Sequence, residues 1–293
     1  MKKFIINADD FGFSKEVTDG IVYAHTHGVV TSTTLMANMD AWEHAASLVA
    51  KCPNLSVGIH LTLTVGRPVL PPEKVPSLVG SDGRFRPYDQ VLSKAWRFQM
   101  DLGEIEAELS AQMERLLAAG VTPTHADSHH HITMYPETFL AMMRVLKRYD
   151  IHRMRTHRGR FVPDSAMAGR GEVRRLCRGK RMKDSPKQAY YTVCDAWIRA
   201  ARSVRTPRQR YGFYRVVSDH PLQCNHDDWR RLLLSAPCGV SEVTAHPGFR
   251  HEHPDDEPEM RAQRVRELEF FTDPLTRWAM DAAGVALTNF RVV

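Results

Sequence analysis

The feature that most constrains the fold of this chain is the alternation of β-branched apolar runs with segments of helical periodicity. The predicted strands lie at residues 2–6, 29–36, 55–64, 121–125, 152–156, 240–245 and 285–290. The predicted helices lie between them, at 14–28, 41–51, 104–119, 136–149, 229–235 and 273–283. Strands that alternate with helices pair in parallel, with the helices packed outside the sheet. We therefore predict an α/β fold: a distorted TIM-like (β/α) barrel as first choice, and an open doubly wound sheet as second.

No repeat or clear linker divides the 293 residues, so we predict a single domain spanning 1–293. A basic insertion, at about 157–225, precedes the last predicted strands. No glycine-rich phosphate loop follows any predicted strand, which disfavours a nucleotide-binding fold of the Rossmann kind.

Charge is distributed unevenly along the chain. The net charge is +6, yet residues 151–215 hold 18 Lys and Arg against 4 Asp and Glu. A basic block of this size suits nucleic acid, an anionic surface or simply solvent. Because no aromatic ladder or nucleic-acid-binding motif accompanies it, we favour a solvated insertion and expect no nucleic-acid partner.

The cysteines and the apolar segments bear on cellular location. The five cysteines are odd in number, scattered and without a CxxC pair: Cys52, Cys177, Cys194, Cys224 and Cys238. This pattern disfavours a disulfide scaffold or a zinc–thiolate site and suits a reducing compartment. No apolar stretch is long enough to cross a bilayer, and the first residues lack the apolar core of a signal peptide. We therefore expect a cytoplasmic protein without a transmembrane segment.

Candidate functional groups gather at the ends of four predicted strands. The acidic and imidazole groups found there are Asp9, Asp10, His60, Asp127, His129, His130, His131 and His246. In parallel α/β folds the carboxyl ends of the strands face one common mouth. Each group alone has an ordinary structural explanation, such as a turn, a cap or a hydrogen-bonded core histidine. Their coincidence at equivalent strand ends instead indicates a functional site.

The adjacent carboxylates of Asp9 and Asp10 repel each other and therefore require a compensating charge. A divalent cation stabilises ionised carboxylates nearby. One carboxylate and two imidazoles suit such an ion and leave positions for water and substrate. At a barrel mouth, one ion is able to bind three of these residues together: Asp10, His60 and one histidine of the triplet at 129–131. Asp9 would then serve as a base and His246 as an acid.

Five motifs carry a resemblance to a known family. NADDFG, VTSTT, GIHLTLT, THADSHHH and AHPG occur in this order between Asn7 and Gly248. They resemble the YdjC-like carbohydrate deacetylases, a family that removes acetyl groups from N-acetylated sugars such as chitooligosaccharides. NADDFG and DSHHH are long and specific, whereas GIHL and HPG alone are weak signals. The resemblance implies a distorted (β/α) barrel, one divalent metal ion and often a homodimer.

The resemblance also implies residue roles. The residues that match the family's metal ligands are Asp10, His60 and His129. Asp9 matches the catalytic base, and His246 matches the residue that assists the departing amine. Magnesium is the family's usual ion, although two imidazole ligands favour zinc at least as well.

Four further residues are assigned from their positions. Strand alternation puts His131 on the same side as His129 and predicts that it contacts substrate, while His130 packs behind the pocket. Arg155 lies where the family often has an arginine near the site, which implies substrate binding; a surface cation is an equally good interpretation. Glu242 either hydrogen-bonds a site residue or forms an ordinary buried salt bridge.

The predicted function is metal-dependent hydrolysis of the N-acetyl group of an acetylated amino sugar, free or carrier-linked, with release of acetate. In this hypothesis Asp9 takes a proton from the attacking water and His246 protonates the departing amine. The insertion at about 157–225 is longer and more basic than in shorter family members and is expected to contribute to the substrate pocket. The alternatives are a metal-dependent phosphoesterase acting on an anionic substrate, a non-catalytic carbohydrate-binding protein and a nucleic-acid-binding protein.

Overall fold

A computed structural model describes residues 1–156, 159–161, 193–194, 196–198, 204–212 and 226–293. In this part of the chain eight strands form one sheet. They are β1 (Lys2–Phe11), β2 (Ser32–Leu35), β3 (Ser56–Leu61), β4 (Ala126–Ser128), β5 (Gly159–Phe161), β6 (Gln209–Gly212), β7 (Gly239–Ala245) and β8 (Val285–Thr288). Every strand pair is parallel, as the alternation of strands and helices predicts.

Strand β1 lies at the centre of the sheet. The strand order is β4-β3-β2-β1-β7-β6-β5, and β8 also pairs with β1. Two isolated parallel bridges, Ala126 with Met154 and Arg153 with Arg205, continue the pairing from β4 toward the chain that precedes β6. The sheet therefore curls toward closure, and the predicted distorted (β/α) barrel is confirmed.

Eight α-helices that lie wholly within the described ranges surround the sheet. They are α1 (Lys15–His27), α2 (Trp42–Val49), α3 (Tyr88–Trp96), α4 (Leu102–Ala118), α5 (Pro136–Arg148), α6 (His226–Ser235), α7 (Pro258–Thr272) and α8 (Pro274–Ala282). The Ser14 hydroxyl caps α1 by accepting from the Val17 amide at 3.2 Å, as expected for this residue type. Helices α3 and α7 were not predicted. The inward face of α7 includes buried Arg264 and Glu267, which interrupt the apolar periodicity on which the prediction relied.

Aromatic packing fixes β1 against its neighbours. The Phe4 ring stacks on Tyr211 of β6 with 6.1 Å between centroids and meets Trp229 of α6 edge-on at 6.3 Å. Trp229 in turn contacts Phe271 of α7, also at 6.3 Å. Full burial of such a side chain stabilises the fold by roughly 1.5–3 kcal/mol. This cluster holds the strand that carries Asp9 and Asp10 in a fixed position.

Most of the basic block at 151–215 and of the insertion at 157–225 lies outside the described residues, as do Cys177 and Cys224. In the described part of the chain, Cys52 and Cys238 are free thiols. Among the helices of that same part, none combines the length and the apolar character that crossing a membrane requires.

Candidate metal centre and active site

The carboxyl end of β1 separates its two aspartates. Asp10 has a φ of 69°, in the left-handed region, and the pairing with β2 shifts register between Ala8 and Phe11. Such an irregularity redirects successive side chains away from simple strand alternation. Gly12 follows with a φ of 91°, a conformation that favours glycine. As a result the carboxylates of Asp9 and Asp10 have different partners, although the residues are adjacent.

One oxygen of Asp10 faces two histidines. Asp10 Oδ1 lies 3.3 Å from His60 Nε2 and 3.0 Å from His129 Nδ1. Candidate ligand atoms of these three residues all lie within 4.8 Å of one another. The set of one carboxylate oxygen and two imidazole nitrogens fits a divalent ion and leaves further coordination positions open. The structure thus brings together the three residues predicted as metal ligands.

Two residues on the side of the His60 ring away from Asp10 set its orientation. Its Nδ1 lies 2.6 Å from Asp127 Oδ1 and 3.1 Å from the Thr34 hydroxyl, which leaves Nε2 directed at Asp10. A carboxylate behind an imidazole is a common way to orient a metal ligand. Burial lowers the pKa of His60, but the carboxylates of Asp127, Asp10 and Asp9 outweigh burial and raise this pKa to about 10. Metal binding at Nε2 must therefore release a proton.

Asp9 is held by an arginine rather than by the histidine cluster. Its Oδ2 accepts from Arg155 Nη1 at 2.7 Å and its Oδ1 from Arg155 Nη2 at 2.5 Å. The Asn7 amide also donates to Oδ1, at 2.9 Å. Burial raises the pKa of Asp9, but the charge and the hydrogen bonds of Arg155, together with the charges of His60 and His246, outweigh burial and bring this pKa down to about 2. Asp9 is therefore ionised at neutral pH, and the two-pronged pairing fixes the plane of its carboxylate.

Arg155 organises carboxylates instead of facing open solvent. It is 4% exposed, and its Nη2 lies 2.7 Å from Asp127 Oδ2 in addition to its contacts with Asp9. Its Nε donates to Glu242 Oε1 at 2.7 Å. It does not line the main cavity, which is the one that contains Asp10, His60 and His129. These contacts do not match the predicted substrate-binding role, because its donors already serve carboxylates of the chain itself.

Glu242 is the third carboxyl group on Arg155. It is fully buried, and its Oε2 has no hydrogen-bond partner among the described residues. Burial raises the pKa of Glu242 to about 7, against the opposing effect of the Arg155 charge. The two interpretations left open for Glu242 are thus both partly right, since its salt bridge is buried and its partner is the arginine that holds Asp9.

His246 follows β7 and faces Asp9 from the other side of the site. Its Nε2 lies 3.8 Å from Asp9 Oδ2, beyond hydrogen-bond distance. Its backbone amide donates to Glu267 Oε2, and its Nδ1 lies 3.9 Å from the same oxygen. The imidazole is 4% exposed. The strand end and Glu267 together direct the ring toward the space above Asp9.

The histidine triplet does not continue strand β4. His129–Met134 forms a 3₁₀ helix in which His130 and His131 have φ values of 52° and 53°. Strand alternation therefore does not apply, and the prediction that His130 packs behind the pocket is wrong. His130 and His131 both line the main cavity. The His130 ring lies 4.8 Å from Tyr88, and its Nδ1 lies 3.0 Å from the Thr64 hydroxyl.

Helix α7 supplies two site residues that sequence reasoning missed. Arg264 Nη2 donates to Asp10 Oδ2 at 2.7 Å, and its Nε donates to Asp256 Oδ2 at 2.7 Å. Glu267 lies three residues further on the same face of α7. It accepts a hydrogen bond from the backbone amide of His246. Pro258 followed by good helix formers is a signal for this helix. Nothing in the sequence, however, indicates which of its many charged residues point inward.

The candidate metal ligands and their surroundings line a cavity of about 900 Å³. This volume is typical of small-molecule sites. Among the described residues that line it, seven are acidic: Asp9, Asp10, Asp82, Asp89, Asp255, Asp256 and Glu257. Three are arginines: Arg84, Arg86 and Arg264. His131 also lines the cavity, and its Nε2 lies 2.8 Å from Arg210 Nη1. Acidic residues thus outnumber arginines among the described residues of the lining.

Comparison with known proteins adds independent information. The family model described as YdjC-like protein matches residues 3–282. The carbohydrate deacetylase of Geobacillus stearothermophilus is 49% identical over 161 residues, which cover 54% of this chain and 62% of that protein. The chitooligosaccharide deacetylase of Proteus mirabilis (strain HI4320) is 44% identical over 138 residues, which cover 46% of this chain and 51% of that protein. The chain thus matches less than two thirds of the length of either relative.

A solved structure matches the whole chain. A crystal structure from Enterococcus faecalis V583, named a putative cellobiose-phosphate cleavage protein, is 27% identical in sequence and has a TM-score of 0.72. The match covers 99% of this chain and 98% of that one. The two proteins therefore share the same overall fold.

Proposed function

The chain belongs to the YdjC-like family, and from this premise we propose that it is a metal-dependent carbohydrate deacetylase. It hydrolyses the N-acetyl amide of an acetylated amino sugar, free or carrier-linked, and releases acetate. The observation that carries the proposal is the convergence of a divalent-ion ligand set, an ionised carboxylate and a facing imidazole at the base of one cavity. Those are the three groups that amide hydrolysis of this kind requires.

Asp10, His60 and His129 are the proposed metal ligands, because their donor atoms already converge. When bound, a divalent ion supplies Lewis-acid chemistry, which makes water more acidic and polarises an amide carbonyl. Magnesium stays the first prediction from the family, and the two imidazoles keep zinc as the second.

Asp9 is the proposed general base. It is ionised, lies beside the ligand set, and is oriented on both oxygens by Arg155. It accepts one proton from the water molecule whose oxygen attacks the carbonyl carbon. Arg155 is thus proposed as a positioning residue for the base.

His246 is the proposed general acid. When the tetrahedral adduct collapses, the C–N bond breaks and the amine nitrogen takes a proton from the imidazole, giving acetate and a free amino sugar. Glu267 supports this role because it accepts from the His246 backbone amide and lies near Nδ1. His131, on the cavity wall, stays a proposed substrate contact.

The character of the cavity favours an amino sugar over a phosphate ester. Two relatives are named for the deacetylation of carbohydrates, and the structural relative is named for a sugar phosphate. The described lining carries more carboxylates than arginines, which disfavours an anionic substrate. A phosphoesterase is therefore the second candidate. A homodimer and a cytoplasmic location stay predictions.

The test of the function is acetate release by the metal-loaded protein. N-acetylglucosamine and its short oligomers should give stoichiometric acetate and free amine, and removal of the metal with a chelator should abolish this activity. A generic phosphate ester serves as the competing substrate. Phosphate release without acetate release from any acetylated amino sugar would replace the deacetylase with the phosphoesterase.

The first prediction concerns Asp9→Asn. The amide cannot accept the proton, so turnover should fall by at least about 100-fold while bound metal stays near the wild-type level. Acetate release and metal content by atomic emission measure the two effects. Asp281→Asn, an exposed carboxylate on α8, is the matched control and should keep wild-type turnover. Full activity of Asp9→Asn would exclude it as the base.

A further inference from the structure

Arg264 is a buried charged group that contacts the site but takes no part in the proposed reaction. It is 1% exposed and projects inward from α7. We propose that Arg264 is a positioning residue that makes Asp10 bind the metal ion through Oδ1 alone. This inference rests on the proposed function, because it requires that Asp10 be one of the ligands of a divalent ion.

The two oxygens of Asp10 have separate tasks. Oδ1 faces His60 Nε2 at 3.3 Å and His129 Nδ1 at 3.0 Å. Oδ2 points the other way and accepts from Arg264 Nη2 at 2.7 Å. An oxygen engaged in a short charge-assisted hydrogen bond is withheld from the metal ion. Coordination through a single oxygen leaves one more position for water or for the substrate carbonyl.

The guanidinium group cannot easily move to release Oδ2. Its Nε donates to Asp256 Oδ2 at 2.7 Å, and its central carbon lies 5.2 Å above the Phe13 ring. The Gly248 amide donates to the Arg264 carbonyl at 3.2 Å and fixes the backbone as well. A rotation of the side chain would therefore break an ion pair and a cation–π contact together. Exposed arginine–carboxylate pairs lack this restraint.

The charge of Arg264 is shared by two carboxylates. Asp256 pairs with the same guanidinium that serves Asp10, so the three groups together carry one net negative charge. The two carboxylates thus largely offset the positive charge of Arg264, so its repulsion of a metal ion bound nearby is weak. The effect of Arg264 on metal binding is therefore expected to come mainly from geometry, which separates this inference from simple electrostatic repulsion of a cation.

The experiment measures Mn²⁺ binding to the chelator-treated full chain by isothermal titration calorimetry and by electron paramagnetic resonance. Arg264→Met keeps an apolar stem against Phe13 but frees Asp10 Oδ2. We expect its Kd for Mn²⁺ to weaken by about 10- to 100-fold and its spectrum to change. Arg264→Lys offers a donor to one carboxylate and should weaken binding by less. Arg261→Gln, on the same helix and paired with exposed Glu252, should bind as wild type does.

A wild-type or tighter Kd in folded Arg264→Met overturns the inference. If circular dichroism shows that this variant does not fold, Arg264→Lys and Asp256→Asn decide instead, and an unchanged Kd and spectrum in both overturn it. Failure of the wild-type protein to bind Mn²⁺ would count against the proposed function itself. Equal binding by wild type and Arg264→Met would count against the role of Arg264 only.

Discussion

At the scale of single residues, arginines stabilise the adjacent aspartates of β1. Asp9 and Asp10 are each 2% exposed, and each carboxylate pairs with its own guanidinium, Arg155 for Asp9 and Arg264 for Asp10. From the sequence, a divalent cation is the compensating charge expected to relieve the repulsion between them. The structure assigns much of that task to the protein, because the left-handed φ of Asp10 directs the two carboxylates to different cations.

Glu242 carries a pH prediction. Its pKa is about 7 in the folded chain, against an ordinary value of 4.5. A raised carboxyl pKa means that the folded state holds the proton more tightly, so this stabilising contribution is present below pH 4.5 and is lost as pH rises through 7. Relative to Glu242→Gln, the free energy of unfolding of wild type should fall by about 3 kcal/mol across this window.

Urea denaturation of both proteins from pH 4.5 to pH 8, with chelator present, measures this difference. Glu43→Gln, an exposed glutamate on α2, should show no such trend relative to wild type. A difference between wild type and Glu242→Gln that does not depend on pH would show that Glu242 does not hold a proton near neutrality.

At the scale of elements, α1 fixes the segment that follows β7. Gly20 of α1 lies against Gly248 so closely that an added Cβ would stand 2.6 Å from the Gly248 Cα. The Phe249 amide donates to the Glu16 carbonyl at 3.2 Å and ties the same two elements. This contact determines where the chain runs after His246. The glycine in the helix therefore serves the position of the proposed acid.

Gly20→Ala tests this contact. Because backbone atoms cannot give way locally, we expect the segment after β7 to shift, the free energy of unfolding to fall by about 1–3 kcal/mol, and turnover to decrease. Chemical denaturation and acetate release measure the two effects. In Gly103→Ala the added Cβ meets only the Asp101 side chain, at 3.2 Å, so this control should keep both quantities. Unchanged stability of Gly20→Ala would contradict the close approach.

At the scale of the whole molecule, the site joins segments from across the chain. Its proposed ligands come from β1, β3 and the 3₁₀ helix after β4, its proposed acid follows β7, and α7 supports both sides. Parallel strands with their carboxyl ends at one edge make this convergence possible. An ion bound there connects three separate elements, so its binding stabilises the folded chain as a whole.

The corresponding prediction concerns thermal stability. At a metal concentration of 100 times the Kd, binding should stabilise the fold by about 2.7 kcal/mol. Differential scanning calorimetry with and without chelator should therefore show a Tm difference of several degrees for wild type. His129→Gln should lose this difference, whereas Glu43→Gln should keep it. An equal metal effect in His129→Gln would remove that histidine from the ligand set.

The sequence by itself determined the fold class and the groups that converge. Strand and helix periods are local properties of the chain, so the parallel sheet and the positions of Asp9, Asp10, His60 and His246 at strand ends followed from them. The meeting of His129 with Asp10 was also expected. The periodic pattern does not predict α7, because buried charged residues interrupt the apolar face of this helix. It also does not predict the side-chain directions of the triplet at 129–131, because the chain leaves the strand there and forms a 3₁₀ helix.

Only the tertiary structure decided which cation serves which carboxylate. Arg155 and Arg264 are 109 residues apart and lie among 40 lysines and arginines, and nothing local marks them as buried. Packing decides that these two arginines, and not others, pair with the aspartates. Arg155 reaches Asp9 because the segment that carries Arg155 bridges to β4. Arg264 reaches Asp10 because α7 packs beside α1. Burying either charge alone would cost more than local contacts repay, so these two buried ion pairs form only because the fold removes both partners from water together.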